Sequence, residues 1–370
     1  MATDPGLTAI QDCLTNRLDL AAIGERRVAG VIGDTPSQYS KSPALWNAAL
    51  GALGIDAIYL AFDVRPDRLR DLIAALRNSK RILGVNVTVP YKLKIMDSLD
   101  GLDPGAARMR AVNTVARQQD GRLIGYNTDG RGFVESLFHP PDQASGLIES
   151  LSGFDVLLLG AGGSARAVAF HMAERLGEGQ LLICNRTMEP ALALAADIRK
   201  AGHNAQAVAE AQIPDSAPEV DLIINTTTKG QGGIRKLADG TVVTLESYSA
   251  LAPARPIALA ESACDKPDFQ RRWLEANQTD IDANHQASFN LARSIPQSVI
   301  FYDLIYHPEE TVFLRHAKLT GHATLNGRGM IIWQAALALF HHICARELQT
   351  LKLDKPETLK RLGEIMHRAW

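Results

Sequence analysis

Between Phe154 and Thr187 the chain runs strand, glycine turn, helix, strand, and few folds accept that order. Val156 to Leu159 is an unbroken apolar run of strand length, the pattern of a strand covered on both faces. Gly160-Ala161-Gly162-Gly163-Ser164-Ala165 follows it, and Ala167 to Leu176 then reads as a helix that Gly177 ends. Leu181 to Cys184 is the next buried strand, closed by Asn185-Arg186-Thr187. Two parallel strands joined by a helix are the unit of a doubly wound α/β sheet. The hexapeptide G-x-G-x-x-A means little alone, but after a strand and opening a helix it has the setting that a dinucleotide fingerprint requires. Gly160, Gly162, Gly163, Ser164 and Ala165 are small enough for the backbone to approach a pyrophosphate at the positive end of the helix. A dinucleotide is the expected ligand of this half.

The end of the second strand selects the nucleotide. A carboxylate there accepts from the ribose hydroxyls of NAD, whereas an arginine pairs with a 2′-phosphate. This chain has Asn185, Arg186 and Thr187, with no carboxylate before Glu189. NADP is favoured, and NAD stays open because no second cation follows Arg186 closely. A further strand, Val220 to Asn225, ends in NTTTKG, which sets Thr226 at the same sheet edge as the glycine turn.

The other half is organised around GVNVTVPYK, residues 84–92. Val85, Val87 and Val89 alternate as in a strand, and Pro90 then takes the chain out of the sheet. Lys92 falls just past the carboxyl end, where open α/β sheets bind ligands. Asn86 and Thr88 inside that apolar strand read as groups aimed at a ligand, although the stretch taken alone favours a solvated lysine after an ordinary turn. Ser42 before Pro43 starts a helix, read as Ala44 to Leu50 with a stop at Gly51. Ser40 and Ser42 at its positive end suit a carboxylate, and Ser42 also suits a plain N-cap. Strands at Val28 to Gly33 and Ile55 to Phe62 and a helix at Pro66 to Arg77 complete the layer. Asp120-Gly121 turns a hairpin that carries Asn113. Asp129 comes before the helical run Phe133 to Leu137, as a cap or as a working carboxylate.

A chain of 370 residues exceeds one ordinary core. The expected division is a helical extension at 1–27, a substrate domain of 28–140 with 330–370, and a nucleotide domain of 141–329 with an insertion near 231–297. Pro141, Asp142, Gln143 and Ser145 mark the crossing, and 231–297 shows no clear alternation of strand and helix. Val299 to Ile305 resumes as a strand, Thr311 to Leu319 as a helix, and Gly327 to Phe340 is a long apolar helix holding Gln334. Pro356 to Ala369 closes the chain. A net charge of -2 gives no case for nucleic acid or an anionic membrane. No 18-residue apolar run exists, and Asp4, Asp12, Asp19 and Glu25 interrupt any leader, so a cytoplasmic protein is expected. Cys13, Cys184, Cys264 and Cys344 form no CxxC pair, and no metal site is expected. His341 and His342 are adjacent and cannot act as an i, i+4 clamp.

Read together, YSKSP (39–43), GVNVTVPYK (84–92), AVNT (111–114), NTDGRGF (127–133), GAGGSARA (160–167), NRT (185–187), YDLIYHPEET (302–311) and NGRGM (326–330) with Gln334 resemble the shikimate dehydrogenase family. They occur in that family's order. The resemblance implies an N-terminal α/β substrate domain with a mixed, mainly parallel sheet and a Rossmann-type NADP domain. It implies reversible NADP-dependent reduction of 3-dehydroshikimate to shikimate, with Lys92 and Asp129 as the proton-transfer pair. Ser40 and Ser42 would hold the carboxylate, and Asn86, Thr88, Asn113 and Gln334 the ring hydroxyls. Gly162, Gly163 and Ala165 would face the pyrophosphate and Arg186 the 2′-phosphate, with Tyr306 and Gly327 beside the nicotinamide. The expected partner is a small cyclic hydroxy acid, and a monomer or a homodimer is expected. Tyr39, Trp46, Trp333 and the long 231–297 segment depart from the family pattern. They keep a quinate or aminoshikimate dehydrogenase, or a non-catalytic nucleotide-binding paralogue, as alternatives.

Overall fold

The computed structural model describes residues 5–140, 146–237 and 239–370. The crossing read at Pro141 to Ser145 lies outside them. The chain falls into two units, Met1–Ser136 with Met330–Trp370 and Leu137–Gly329. Among the described residues no helix is long and apolar enough to cross a membrane.

The first unit opens with α1 (Pro5–Gln11) and α2 (Leu20–Ile23), followed by β1 (Arg27–Gly33), α3 (Pro36–Tyr39), α4 (Ser42–Leu53), β2 (Ala57–Asp63) and α5 (Leu69–Asn78). Then come β3 (Ile82–Val87), β4 (Gly101–Leu102), α6 (Pro104–Met109), β5 (Thr114–Arg117), β6 (Leu123–Tyr126) and α7 (Asp129–Phe138). The sheet order is β2-β1-β3-β5-β6-β4. β1 is parallel to β2 and β3, while β5 is antiparallel to β3 and β6. Leu7, Ile10 and Ile23 are buried in one cluster with Leu69, Leu72 and Leu76, so the N-terminal lead is packed on α5 within this unit.

The second unit carries β7 (Val156–Leu159), α8 (Gly163–Leu176), β8 (Leu181–Cys184), α9 (Met188–Lys200), β9 (Ala205–Val208), α10 (Ile213–Ser216) and β10 (Leu222–Asn225). After them come β11 (Arg235–Lys236), β12 (Thr241–Val243), β13 (Leu259–Ala260), α11 (Phe269–Ser294), β14 (Ile300–Asp303), α12 (Val312–Leu319) and β15 (Thr324–Leu325). Its parallel sheet has the order β15-β14-β10-β7-β8-β9. The segment that shows no pattern in the sequence holds the antiparallel ribbon β11-β12-β13 and the 26-residue α11. α11 escapes a hydrophobic-period reading because its buried stripe mixes Phe269, Trp273 and Ile281 with Asn277, Asn284 and Ser288. Those amides bind backbone, with Asn284 Oδ1 accepting from Ser249 N at 2.8 Å and Asn277 Oδ1 from Ile257 N at 2.6 Å.

The chain then continues through α13 (Arg328–Ala338), a π-helical turn at Leu339–Ile343, α14 (Ala345–Thr350) and α15 (Pro356–Arg368). α4, α13 and α15 cover one face of the first unit's sheet through Trp46, Leu50, Ile332, Ala336, Leu362 and Met366, while α1 and α5 cover the other.

Candidate active site

Lys92 lies in the turn that follows β3, and its Nζ donates to Asp129 Oδ2 at 2.6 Å. The lysine side chain is 27% exposed and the aspartate 7%. Asp129 is the first residue of α7, where the helix dipole favours a negative charge. Its Oδ1 accepts from Asn113 Nδ2 at 2.8 Å, and its backbone N donates to Asn127 Oδ1 at 3.0 Å. The carboxylate's partners are the side chains of Lys92 and Asn113 instead of backbone donors of α7, so Asp129 does not act as a cap.

Asn113 is the hub of a buried network. Its Nδ2 also reaches Thr128 Oγ1 at 3.0 Å and Gln334 Oε1 at 3.3 Å, and its Oδ1 accepts from Thr128 N and Thr114 Oγ1. Asn86 on β3 donates to Asn113 O at 3.2 Å and to Thr114 Oγ1 at 3.1 Å. Gln334 reaches this point because Gly132 lets α7 and α13 touch. A Cβ on Gly132 would stand 2.5 Å from Gln334 N.

Tyr59 is a member that the sequence reading missed. It is 1% exposed, its Oη donates to Asn86 Oδ1 at 2.7 Å, and Ser42 also hydrogen-bonds with it. Burial pushes this phenol well above the usual tyrosine range, offset in part by the Ser42 contact. Trp46 stacks on the ring at 4.5 Å, and Asn47 on the same helix pairs with the Tyr59 backbone N and O at 2.9 Å each. Nothing in the AIYLAF run distinguishes this tyrosine from a core residue; the signal is its partners.

Four sequence expectations shift. Ser42 is the first residue of α4, with Lys41 at the cap position, and its N donates to Ser40 Oγ at 3.2 Å. α4 runs on past Gly51 to Leu53 and ends at Gly54, whose φ of +68° suits glycine. β3 stops at Val87: Val87 N still donates to Asn113 O and Thr88 N to Ile32 O, and beyond them the chain turns out of the sheet at Pro90, which has no N–H to donate. Val89 is therefore 66% exposed instead of filling the strand. Trp333 points away from the amide network, since its ring lies against Gly363 of α15 in the apolar layer. Thr88 is half-buried beside Gly33.

In the second unit the turn after β7 is shaped by Gly160, whose φ is +114° and whose N donates to Cys184 O. Thr226 locks that turn, with N and Oγ1 donating to Leu159 O at 2.8 and 2.7 Å. α8 begins at Gly163, and its cap Gly162 offers no side chain. A Cβ on Gly162 or Gly163 would meet no other described atom within 4 Å, so the helix start faces open space. Ser164 is exposed there and Ala165 is buried. At the end of β8 Asn185 Nδ2 donates to Thr187 O at 2.8 Å, and Arg186 and Thr187 are exposed.

A second buried network stands at the ends of β10 and β14. Asp303 accepts from Asn225 Nδ2 at 3.0 Å, Ile305 N at 3.0 Å and Thr311 Oγ1 at 2.7 Å. Complete burial pushes its carboxyl up to about 7 despite these three donors. Asn225 in turn accepts from Thr227 N, so one carboxyl ties the 225–230 turn to the 303–311 segment that carries Tyr306. Gly327 closes on that segment, as its N donates to Ile305 O and a Cβ would overlap Leu304 O.

Residues 31–115 match the family pattern described as shikimate dehydrogenase substrate binding domain, and residues 142–238 match shikimate / quinate 5-dehydrogenase. A shikimate dehydrogenase (NADP(+)) of Symbiobacterium thermophilum is 35% identical over 315 residues, covering 85% of this chain and 88% of that one. Its counterpart in Bacillus subtilis is 33% identical, covering 85% and 90%. Among solved structures, shikimate 5-dehydrogenase of Thermus thermophilus, in complex with NADP(H) and shikimate, superposes with a TM-score of 0.61 at 29% identity, covering 93% and 100%. The Listeria monocytogenes enzyme, solved with shikimate and NAD, gives 0.65 at 26%, covering 92% and 98%. With that similarity running through both units, the chain belongs to the shikimate dehydrogenase family.

Proposed function

We propose that the chain is an NADP-dependent dehydrogenase that interconverts 3-dehydroshikimate and shikimate. The observation that carries this reading is the 2.6 Å pair of Lys92 and Asp129, wired to Asn113 in a chain 35% identical to a shikimate dehydrogenase (NADP(+)). The second unit suits the dinucleotide: a helix start without a side-chain cap and with open space around two glycines is room for a pyrophosphate. Gly160, Gly162, Gly163, Ser164 and Ala165 would hold it, Asn185, Arg186 and Thr187 would meet the 2′-phosphate end, and Thr226, Tyr306 and Gly327 the nicotinamide end. When bound, the cofactor supplies the hydride that adds to the carbonyl carbon.

The protein's own residues deal with the proton. Lys92 as an ammonium has three donors, of which one is committed to Asp129, and another can protonate the oxygen that becomes the hydroxyl. Its partial exposure lets solvent restore that proton. Asp129 sets the direction of the lysine and accepts from a neighbouring ring hydroxyl. In the reverse direction the same pair removes the hydroxyl proton. Ser40 and Ser42 donate to the carboxylate, while Asn86, Thr88, Asn113 and Gln334 sort the ring hydroxyls. The same reading puts the enzyme in the cytoplasm, as a monomer or a homodimer.

Quinate is the second substrate to weigh, because the matched family description names both acids. Steady-state turnover on shikimate and quinate, each with NADP+ and with NAD+, tests the reading. The expected order puts shikimate with NADP+ first. A preference for quinate would move the substrate, and no turnover on any of the four pairs would remove the enzyme.

A further inference from the structure

The first unit's sheet has a second concave edge. Lys92 follows the carboxyl end of β3, whereas Lys80 precedes its amino end, and a cavity of about 550 Å³ opens there. The topology gathers cations at this edge. Arg27 begins β1, Lys80 stands two residues before β3, and Arg117 ends β5, which runs antiparallel to β3. The opposite wall is the π-helical turn and α14, which bring His341, His342 and Arg346. That wall sits close to the sheet because Gly84 has no side chain; a Cβ there would lie 3.0 Å from Ile343. The π-helical turn also brings both adjacent histidines to the one cavity, with ring centroids 6.1 Å apart. The His342 ring stacks on Tyr126 at 4.0 Å and forms a flat aromatic floor.

The acidic residues in the lining are already engaged. Asp120 accepts from Arg122 at 2.7 Å, and Glu347 stands 3.6 Å from Arg27. Arg117 donates to two neutral carbonyls, Leu76 O and Arg77 O, so its charge is not neutralised. Lys80 and Arg346 are exposed at the rim and have no carboxylate partner among the described residues. Three cations without counter-charge around one hollow concentrate anions, and the volume lies within the ordinary range for small-ligand sites, roughly 300–1,000 Å³. We propose that this pocket is a binding site for a small polyanion, carrying at least two carboxylate or phosphate groups, separate from the substrate and dinucleotide sites. Lys80, Arg117 and Arg346 pair with its charged groups, and the Tyr126–His342 stack supports its body.

The test is calorimetric titration of the full chain at low salt with saturating NADP+, so that the dinucleotide's phosphate positions are filled. The probes are inorganic pyrophosphate and citrate, which separate a phosphate source from a carboxylate source. Binding of either at one site per chain is expected. In the Lys80→Gln/Arg346→Gln double variant affinity should fall by about tenfold or more, as two charge-assisted contacts are lost. Ser40→Ala/Ser42→Ala should bind the anion unchanged. The proposal is overturned if neither anion binds, if the double variant binds as the parent does, or if the serine variant loses binding and so moves the anion to the substrate site. Both altered cations are on the surface, and unchanged shikimate turnover in the double variant would report an intact fold.

Discussion

In the first unit Asn86, Asn113, Thr114, Thr128, Asp129 and Lys92 hold one another by side-chain hydrogen bonds, whereas the turn after β7 presents backbone and open space. Two glycines show the difference. Gly132 is filled against the Gln334 backbone, and Gly162 faces nothing within 4 Å. One site is made by contacts, so that a change at one residue propagates to its neighbours. The other is made by leaving room, and a change there acts on the ligand before it acts on the fold.

The largest break in that comparison is at Lys92. Lys92→Ala removes the proposed proton donor and leaves the Asp129 carboxylate with Asn113 alone, and turnover is expected to fall by about 10²- to 10⁴-fold. NADP+ binding should persist, because the residues assigned to it belong to the second unit. Turnover within a few-fold of the parent would take the lysine out of the mechanism. The glycine pair comes next. Gly132→Ala drives a methyl into the Gln334 backbone, and the overpacking costs about 1–3 kcal/mol, more than the helix propensity it gains. Gly162→Ala should lower the thermal midpoint only slightly, since alanine is a poorer N-cap than glycine, and should weaken NADP+. Equal destabilisation of the two variants in thermal unfolding would erase the contrast.

The β7-α8-β8 unit is legible in the sequence because an apolar run and a glycine turn are local signals, and the strands span the residues read for them. Lys92 and Asp129 are legible as candidates, but their separation of 37 positions in the chain hides that they meet; only the sheet, which carries one on the turn after β3 and the other at the start of α7, closes that gap. A sequence reading overruns the end of β3 because the valine alternation continues to Val89, while the chain already turns toward Pro90 after Thr88. It passes over α11 because hydrogen-bonding amides replace apolar residues on the buried face of that helix. Tyr59 is invisible to it for a related reason: a tyrosine in an apolar strand looks like filling until its hydroxyl finds Asn86.

The smallest effect tests how far the contact-built site extends. Tyr59→Phe keeps the ring and its stack on Trp46 and removes only the hydroxyl. Asn86 then loses the donor on Oδ1, while its Nδ2 still reaches Asn113 O and Thr114 Oγ1, so the amide is loosened but not freed. Ser42 loses its partner on the same hydroxyl. One buried hydrogen bond is worth about 0.5–1.5 kcal/mol, which corresponds to a rise of roughly two- to tenfold in KM for the hydroxy acid. In the proposed mechanism proton transfer passes through Lys92 and Asp129, which Tyr59 does not touch, so kcat should change less than KM. NADP+ affinity should not change. A loss in kcat with KM constant would mean that Tyr59 acts on the reacting pair through Asn113, and an unchanged KM would mean that Asn113 and Thr114 alone set the Asn86 amide.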